Sequence, residues 1–250
     1  DFDRNSPWLT DDSPGHGASY ADMEGKPVPG NTFDHVITHG QAIQNAGYSF
    51  VSVSDEVFED GAYFADEFFA VDLLFGEERG TEGLINQQEK DFRIWTPEMI
   101  KAVTRYVDNG GNVFASGAYI GTDMVENNDS VAVDFAREKL GYEWMTNHAD
   151  NVGRVKVTDR ASTHFLPRLR FNVAYHPDIY KVEAPDAIEP AGDDAFRLFR
   201  YSANKASAAA ARSGAYKCVI LGFPFETIAS VEDRHVLMEQ VLSFFRNGSD

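Results

Sequence analysis

The chain has 250 residues, of which 43% are hydrophobic and 25% charged, a balance that permits one large globular domain or two small ones. Its 40 acidic and 22 basic residues give a formal charge of −18, which disfavours a nucleic-acid partner because a polyanion would be repelled. A single cysteine, Cys218, excludes an internal disulfide and a multi-cysteine zinc site, and no apolar run approaches the ~20 residues that span a bilayer.

The first half of the chain is predicted to alternate between helices and strands after a polar, Gly- and Pro-rich loop over residues 1–31. The predicted elements are a helix from Asn31-Thr32 to Gly47, a strand over 48–54, a helix over 61–69, a strand over 71–75, a loop over 79–95, a helix from Thr96-Pro97-Glu98 to Gly110-Gly111, a strand over 113–115 and a helix from Asp129-Ser130. This alternation argues for a mostly parallel sheet with helices on both faces, a three-layer α/β/α flavodoxin-like fold.

The second half of the chain follows a different pattern. Residues 142–215 are poorly periodic and read as an irregular insertion, with strands at 152–157 and 196–202. Residues 208–211 are ambiguous between helix and strand, and the turn that follows favours a hairpin with the last strand, which contains Cys218 in its core. An amphipathic helix over 231–245 closes the chain.

The stretch from Asn109 to Asp123 organises the predicted site. A helix ends at its glycine pair, a short apolar strand follows, and the strand is expected to break at Ser116-Gly117. In open α/β sheets, ligands bind just past the carboxyl ends of the strands. We therefore expect a ligand site around Ser116, Gly117, Tyr119 and Asp123.

Three segments of the chain together resemble a known superfamily: residues 106–113 leading into Ala115-Ser116-Gly117, residues 219–226, and the closing helix. They resemble class I glutamine amidotransferase-like (flavodoxin-like) domains and, more narrowly, exported bacterial proteins often labelled xanthan lyase-like. The resemblance implies that residues 1–250 form a single domain of a longer, exported (periplasmic or extracellular) protein, beside a β-sandwich domain. It implies carbohydrate or a cell-wall fragment as a partner and a first strand that precedes Asp1-Phe2-Asp3-Arg4.

The chain departs from the amidotransferase pattern at the catalytic positions. Ser116 stands where those enzymes carry a nucleophilic cysteine, and no His-x-Glu follows the last strand, where Pro224-Phe225-Glu226 stands instead. Glutaminase activity is therefore not expected.

A serine nucleophile needs a neighbouring base, usually histidine, that is itself oriented by an acid. The candidate bases for Ser116 are His16, His39 and His148, among which the sequence does not choose, and the predicted catalytic set is Ser116, His148 and Glu226. Carboxylates that follow strand ends could converge for acid–base catalysis, for Ca²⁺ binding or for the recognition of sugar hydroxyls, or could simply cap the helices that follow. The predicted ligand-binding residues are Asp3, Arg4, Asp55, Glu77, Gly117, Tyr119 and Asp123.

No metal or cofactor is predicted. His35 and His39 have the i, i+4 spacing of metal ligands, but Val36 stands where a zincin-like motif has an acid, so a surface or capping role is favoured. Walker and G-x-G-x-x-G motifs are absent from the sequence. Two functions remain: a catalytically degenerate binding or scaffold domain, which we favour, and a hydrolase of a glycan or cell-wall substrate.

Overall fold

The computed structural model describes residues 35–61, 67–78 and 93–247. These residues form six α-helices: α1 His35–Asn45, α2 Asp55–Glu59, α3 Pro97–Asp108, α4 Thr122–Glu126, α5 Ser130–Phe135 and α6 Val231–Arg246. They also form nine strands: β1 Ala70–Gly76, β2 Asn112–Gly117, β3 Tyr142–Thr146, β4 Arg154–Val157, β5 Arg168–Arg170, β6 Ala187–Pro190, β7 Ala195–Tyr201, β8 Ser207–Ser213 and β9 Lys217–Leu221. The α/β class is confirmed.

Seven of the strands form one mixed sheet in the order β1-β2-β9-β8-β7-β4-β5. The β1–β2 and β2–β9 pairs are parallel, whereas the four remaining neighbouring pairs are antiparallel. The expectation of a mostly parallel sheet is therefore wrong for the described residues. Residues 142–215 do contain β structure, since β4 and β7 match the strands predicted over 152–157 and 196–202. These residues are not an insertion outside the sheet, however, because they contribute β4, β5, β7 and β8 to the main sheet and β3 and β6 to a separate antiparallel pair.

The buried core centres on β2 and β9, whose inner residues are shielded on both faces of the sheet. Cys218 on β9 is fully buried, as predicted, and burial raises the pKa of its thiol to about 12. Helix α6 packs against β9 and α1, so the closing helix covers the centre of the sheet. This arrangement places the ends of β1, β2 and β9 close together.

Several element boundaries follow local capping chemistry. Thr96 accepts a hydrogen bond from the Met99 amide at 3.0 Å, and Asp129 accepts one from the Ala132 amide at 3.0 Å, so the predicted starts of α3 and α5 are confirmed. The predicted hairpin is also confirmed, since β8 pairs antiparallel with β9.

Two local predictions differ from the structure, and a third lies largely outside the described residues. Residues 48–53 are extended, but they belong to no strand ladder among the described residues. Helix α2 was not predicted, and most of the helix predicted over 61–69 (residues 62–66) lies outside the described part of the chain. Strand β2 continues through Ser116 to Gly117, because neighbours on both sides extend its ladder beyond the expected break.

The helices of the described residues are too short or too polar for any of them to cross a membrane. The predicted loop over 1–31 and most of the loop over 79–95 lie outside the described residues.

Candidate functional site

Ser116 lies inside the sheet and not on an exposed elbow. It stands opposite Leu74 of β1 and Leu221 of β9, and its exposed fraction is 0%. Its Oγ has no hydrogen-bond partner among the described residues. Among the described residues no base contacts this hydroxyl, and its full burial leaves a substrate no access to it.

The other members of the predicted catalytic set are not assembled around Ser116. His148 lies on an exposed turn with a positive φ of 47°, and it makes no hydrogen bond to the buried serine hydroxyl. Glu226 is buried in the turn after β9, where its carboxylate is used by other partners. The structure therefore does not bring Ser116 and His148 together.

Gly117 is required by the close approach of β1 and β2. A Cβ added at this position would lie 2.9 Å from Cβ of Phe75. Separations under 3 Å force a shift of one of the two groups, so the glycine here is explained by strand packing.

A cluster of buried charged side chains is built around His39. Its Nδ1 donates to Oδ2 of Asp72 at 2.8 Å, and its Nε2 donates to Oε2 of Glu226 at 3.3 Å. The side chain of His39 is 2% exposed, and those of Asp72 and Glu226 are 15% and 3% exposed. We call these three residues, together with Tyr180, the His39 cluster.

Three separate parts of the fold position this cluster. His39 comes from α1, Asp72 from the middle of β1, and Glu226 from the 3-10 turn Phe225–Thr227 that follows β9. Tyr180 completes the cluster from the segment before β6, since its hydroxyl donates to Oε1 of Glu226 at 2.6 Å. The ring of Phe225 lies 4.6 Å from the imidazole, which shields it from water.

The charges of the cluster stabilise one another. Burial alone would lower the pKa of His39, but the charges and hydrogen bonds of Asp72 and Glu226 outweigh burial and raise it to about 9. Burial alone would raise the pKa of Glu226, but the hydrogen bond from His39, the nearby His35 and His39 charges and the Tyr180 hydroxyl together lower it to about 2. At neutral pH the cluster is an imidazolium held between two carboxylates.

This arrangement leaves His39 unable to act as a general base. A base must offer a free ring nitrogen lone pair, whereas both nitrogens of His39 carry protons that are donated to carboxylates. Glu226 is likewise committed to Tyr180 and His39. The cluster ties α1 to the sheet, and its ground state has no group poised for proton transfer.

The predicted ligand-binding carboxylates are also engaged in structural contacts. Glu77 is buried and accepts a hydrogen bond from the Glu183 amide at 2.9 Å. Asp123 is buried and accepts from the Ile94 amide at 3.2 Å and from Arg93 Nε at 3.4 Å. These two acids hold loops against the sheet, and they do not converge on an open site.

Of the remaining predicted site residues, two lie in the described part of the chain and three lie outside it. Asp55 is half-buried in the first turn of α2, where burial raises its pKa, and Tyr119 is buried in the core. Asp3, Arg4 and the alternative base His16 lie outside the described residues. Groups of three or more potential metal ligands are absent from the part of the chain that the structure describes.

Asp186 is a further buried carboxylate, which the sequence analysis did not predict, and it caps the N-terminus of α4. Its Oδ2 accepts from the amides of Gly121 and Thr122 at 2.7 and 2.8 Å, and its Oδ1 accepts from the Thr122 hydroxyl at 2.5 Å. Burial raises the pKa of Asp186 to about 7, against the opposing effect of these hydrogen bonds. Asp186 therefore secures the turn after β2 where a ligand had been expected.

Comparison with known proteins identifies no family. No protein-family model and no curated protein sequence matches the chain. Among solved structures, the mmIFT52 N-terminal domain is 12% identical with a TM-score of 0.54, and the match covers 84% of this chain and 90% of that one. This similarity shows a shared fold.

Two further solved structures are similar with a TM-score of 0.48. One is the exo-beta-1,4-mannosidase Op5Man5 from Opitutaceae bacterium strain TAV5, which is 15% identical over 88% of this chain and 31% of the mannosidase chain. The other, from Thermoplasma acidophilum, is described as part of a GMP synthase, and it is 11% identical over 87% of this chain and 92% of its own. This chain therefore spans about a third of the mannosidase, and neither match assigns an activity.

Proposed function

We propose that this domain is a catalytically degenerate, amidotransferase-like binding or scaffold module. One observation carries the proposal: Ser116, at the position of the expected nucleophile, is fully buried and its hydroxyl has no partner among the described residues. His39, which is one of the candidate bases and is buried, hydrogen-bonds to a carboxylate through each of its two ring nitrogens.

The finer assignment rests on the sequence resemblance. We propose that the domain has a three-layer, flavodoxin-like fold and is related to class I glutamine amidotransferase-like domains. We also propose that it belongs to an exported bacterial protein, where it lies beside a β-sandwich domain. Carbohydrate or other cell-envelope material is the proposed ligand class. Residues 1–250 would then act as a single domain of a longer polypeptide.

The alternative, a hydrolase of a glycan or cell-wall substrate, requires a rearrangement of the sheet itself. Ser116 would have to leave the centre of a three-strand ladder, and a histidine would have to reach it. A buried strand is among the most stable parts of a domain, so such a movement is costly. A scaffold requires no change in this ground state.

A panel of glycans and muropeptides separates the two functions when both binding and turnover are measured. The proteins are the wild type, Ser116→Ala and the control Ser243→Ala, which alters an exposed serine on α6. We expect no turnover above background for any of the three and equal glycan binding by all of them. Turnover that is lost in Ser116→Ala and kept in Ser243→Ala would overturn the proposal of a degenerate domain. If none of the three proteins binds any glycan or muropeptide, carbohydrate is excluded as the ligand class.

A further inference from the structure

One face of the main sheet, at the end formed by β4, β5 and β7, carries a group of basic side chains. Strands β4 and β5 alternate, so that Val155 and Leu169 are buried and the residues on either side of each are exposed. All four of these exposed neighbours are basic, and β7 adds a half-buried arginine beside them. We call the five residues the basic face: Arg154, Lys156, Arg168, Arg170 and Arg200.

The strand register places these like charges directly opposite one another. Arg154 pairs with Arg170 and Lys156 with Arg168 across β4 and β5. Lys156 also stands opposite Arg200 on β7. Since neighbouring strands lie about 4.8 Å apart, Arg168, Lys156 and Arg200 form a row of three cations that spans roughly 10 Å. The second row, Arg154 and Arg170, lies about 7 Å further along the strands.

This register does not favour the fold by itself, because like charges directly opposite in antiparallel strands destabilise a sheet. No acid within the part of the chain that the structure describes forms an ion pair with the basic face. Other strand arginines of the same sheet do have such partners, since Arg197 of β7 pairs with Glu189 and Arg212 of β8 pairs with Asp194. The repulsion is therefore particular to the basic face.

A single acid at position 156 would relieve the repulsion. Its side chain would stand between Arg168 and Arg200, so that two unfavourable cross-strand pairs would become two favourable ones. The chain has a lysine there instead, although its acidic residues outnumber its basic ones by 40 to 22. Charges that oppose stability are typical of surfaces where function requires them.

We propose that the basic face binds a linear glycan that carries carboxylate groups. The anionic character of the ligand follows from the five exposed or half-buried cations, four of which are arginines. The guanidinium group binds a carboxylate through two parallel hydrogen bonds, which suits it to uronic-acid residues. The choice of a glycan rests on the proposed function, which this inference deepens by naming the ligand class and the surface that binds it.

The charge of the whole chain favours a slender anion over a broad one. A membrane surface or a DNA duplex extends beyond the basic face and would be repelled by a chain with a formal charge of −18. Electrostatic interactions are screened over about 8 Å at physiological ionic strength. A single extended chain that lies along the two rows of cations is therefore largely protected from this repulsion.

The side chains of the basic face also favour a glycan over other slender anions. Single-stranded nucleic acids are held by bases that stack on aromatic side chains, and protein partners by buried aromatic or apolar anchors. The two rows consist only of arginine and lysine, with no aromatic ring between the opposed residues. A uronic-acid chain needs no such anchor, because each of its residues offers a carboxylate to the cations.

Calorimetric titration with oligogalacturonate, a linear glycan with a carboxylate on every residue, tests the proposal. Fully methyl-esterified oligogalacturonate is the matched control, since it has the same backbone without the charges. We expect the acid form to bind, with an affinity that falls as salt is added, and the ester not to bind. Failure of the acid form to bind, or equal binding of both forms, would overturn the proposal.

Neutral glycans distinguish a failure of this inference from a failure of the proposed function. If the chain binds neutral glycans but not oligogalacturonate, the basic face is not a glycan site and the proposed function stands. Poly-glutamate, single-stranded DNA and phosphatidylglycerol vesicles are titrated in parallel. Tighter binding of any of these three than of oligogalacturonate would overturn the assignment to a glycan.

Two double variants with the same net charge test the location of the site. Lys156→Gln with Arg168→Gln neutralises two members of the basic face, and Lys101→Gln with Arg137→Gln neutralises two exposed cations elsewhere. We expect the first pair to weaken oligogalacturonate binding by about 10-fold and the second pair to leave it unchanged. Equal losses in the two pairs would overturn the proposal, because they would show an effect of overall charge alone.

The variant Lys156→Glu separates binding from folding. It should raise the thermal unfolding midpoint, because the new acid stands between two arginines, and it should weaken oligogalacturonate binding more than neutralisation does. Opposite changes in stability and affinity are the result that the proposal predicts. A lower unfolding midpoint, or unchanged affinity in a folded Lys156→Glu protein, would overturn it.

Discussion

Replacing His39 by glutamine removes the buried cation that lies between Asp72 and Glu226. The variant keeps a polar side chain in the site but leaves the two carboxylates, 15% and 3% exposed, without their charged partner. Removing one member of a buried ion pair typically costs about 3–5 kcal/mol of stability. We therefore expect His39→Gln to be folded but clearly less stable at neutral pH.

The pH dependence gives a sharper test than the loss alone. The pKa of His39 is raised from 6.5 to about 9, and at about 1.4 kcal/mol per pKa unit this rise corresponds to about 3 kcal/mol. Because the folded-state pKa is the higher one, this stabilisation is fully present below pH 6.5. It is lost as the pH rises from 6.5 through 9.

Urea unfolding followed by tryptophan fluorescence at pH 6, 7, 8 and 9 measures this loss. Glu78 and Asp186, whose pKa values burial raises to about 7, titrate in both proteins, so the difference between wild type and variant isolates His39. The exposed His148→Gln variant is the control and should follow the wild type. Parallel profiles for wild type and His39→Gln across this range would refute the reasoning.

Three substitutions test other contacts by the same unfolding assay. Tyr180→Phe removes the hydroxyl that donates to Glu226 at 2.6 Å and should lower the free energy of unfolding by about 1.5–3 kcal/mol, and an unchanged midpoint would contradict that role. Ser116→Ala removes a buried hydroxyl without a partner among the described residues and should raise the free energy of unfolding by about 1 kcal/mol. A lower free energy of unfolding would mean that the Ser116 hydroxyl makes a stabilising hydrogen bond. Gly222→Ala would place a Cβ 2.2 Å from the carbonyl oxygen of Asp186 and should cost about 3 kcal/mol, and a neutral result would show that this backbone contact can relax.

The elements that the sequence predicted well are those with local signals. The Thr96-Pro97 start of α3 and the Asp129 cap of α5 are short-range hydrogen-bonding patterns, and the structure contains both. The amphipathic pattern of α6 and the turn between β8 and β9 are equally local. Such elements can be predicted because few distant contacts compete with them.

The position of the second half of the main sheet was not predictable in this way. Strands β4 and β7 match the strands predicted over 152–157 and 196–202, but β5 has only three residues, which is too short for a period-two pattern to stand out. The places of β4 and β5 in the sheet depend on antiparallel pairing with distant partners, such as that of β4 with β7. The sequence therefore indicated an irregular insertion where the structure has a continuous sheet.

The candidate site shows the same division. Glu226 is among the predicted site residues because it follows the last strand, and it lies in the buried cluster. Asp72 is not among them, although a single acid within the apolar run of β1 requires a buried partner. The partner, His39, lies 33 residues away on α1, and no spacing rule connects the two.

The end of β2 differs from the prediction for a related reason. A Ser-Gly pair after a short apolar run is a normal place for a strand to end, but β1 and β9 extend the ladder of β2 past it. The hydroxyl is thereby enclosed between two leucine-bearing strands. Neighbouring strands, and not local propensity, determine this boundary.

The protonation state of His39 tests the central claim most directly, because a degenerate site requires an imidazole with no free nitrogen. Nitrogen-15 NMR of labelled histidine reports the two ring nitrogens separately, and His39→Gln identifies the signal. We predict that both nitrogens of His39 are protonated at pH 7 and that the ring titrates near pH 9. A neutral imidazole at pH 7, with one unprotonated nitrogen, would contradict the account and return His39 to the list of catalytic bases.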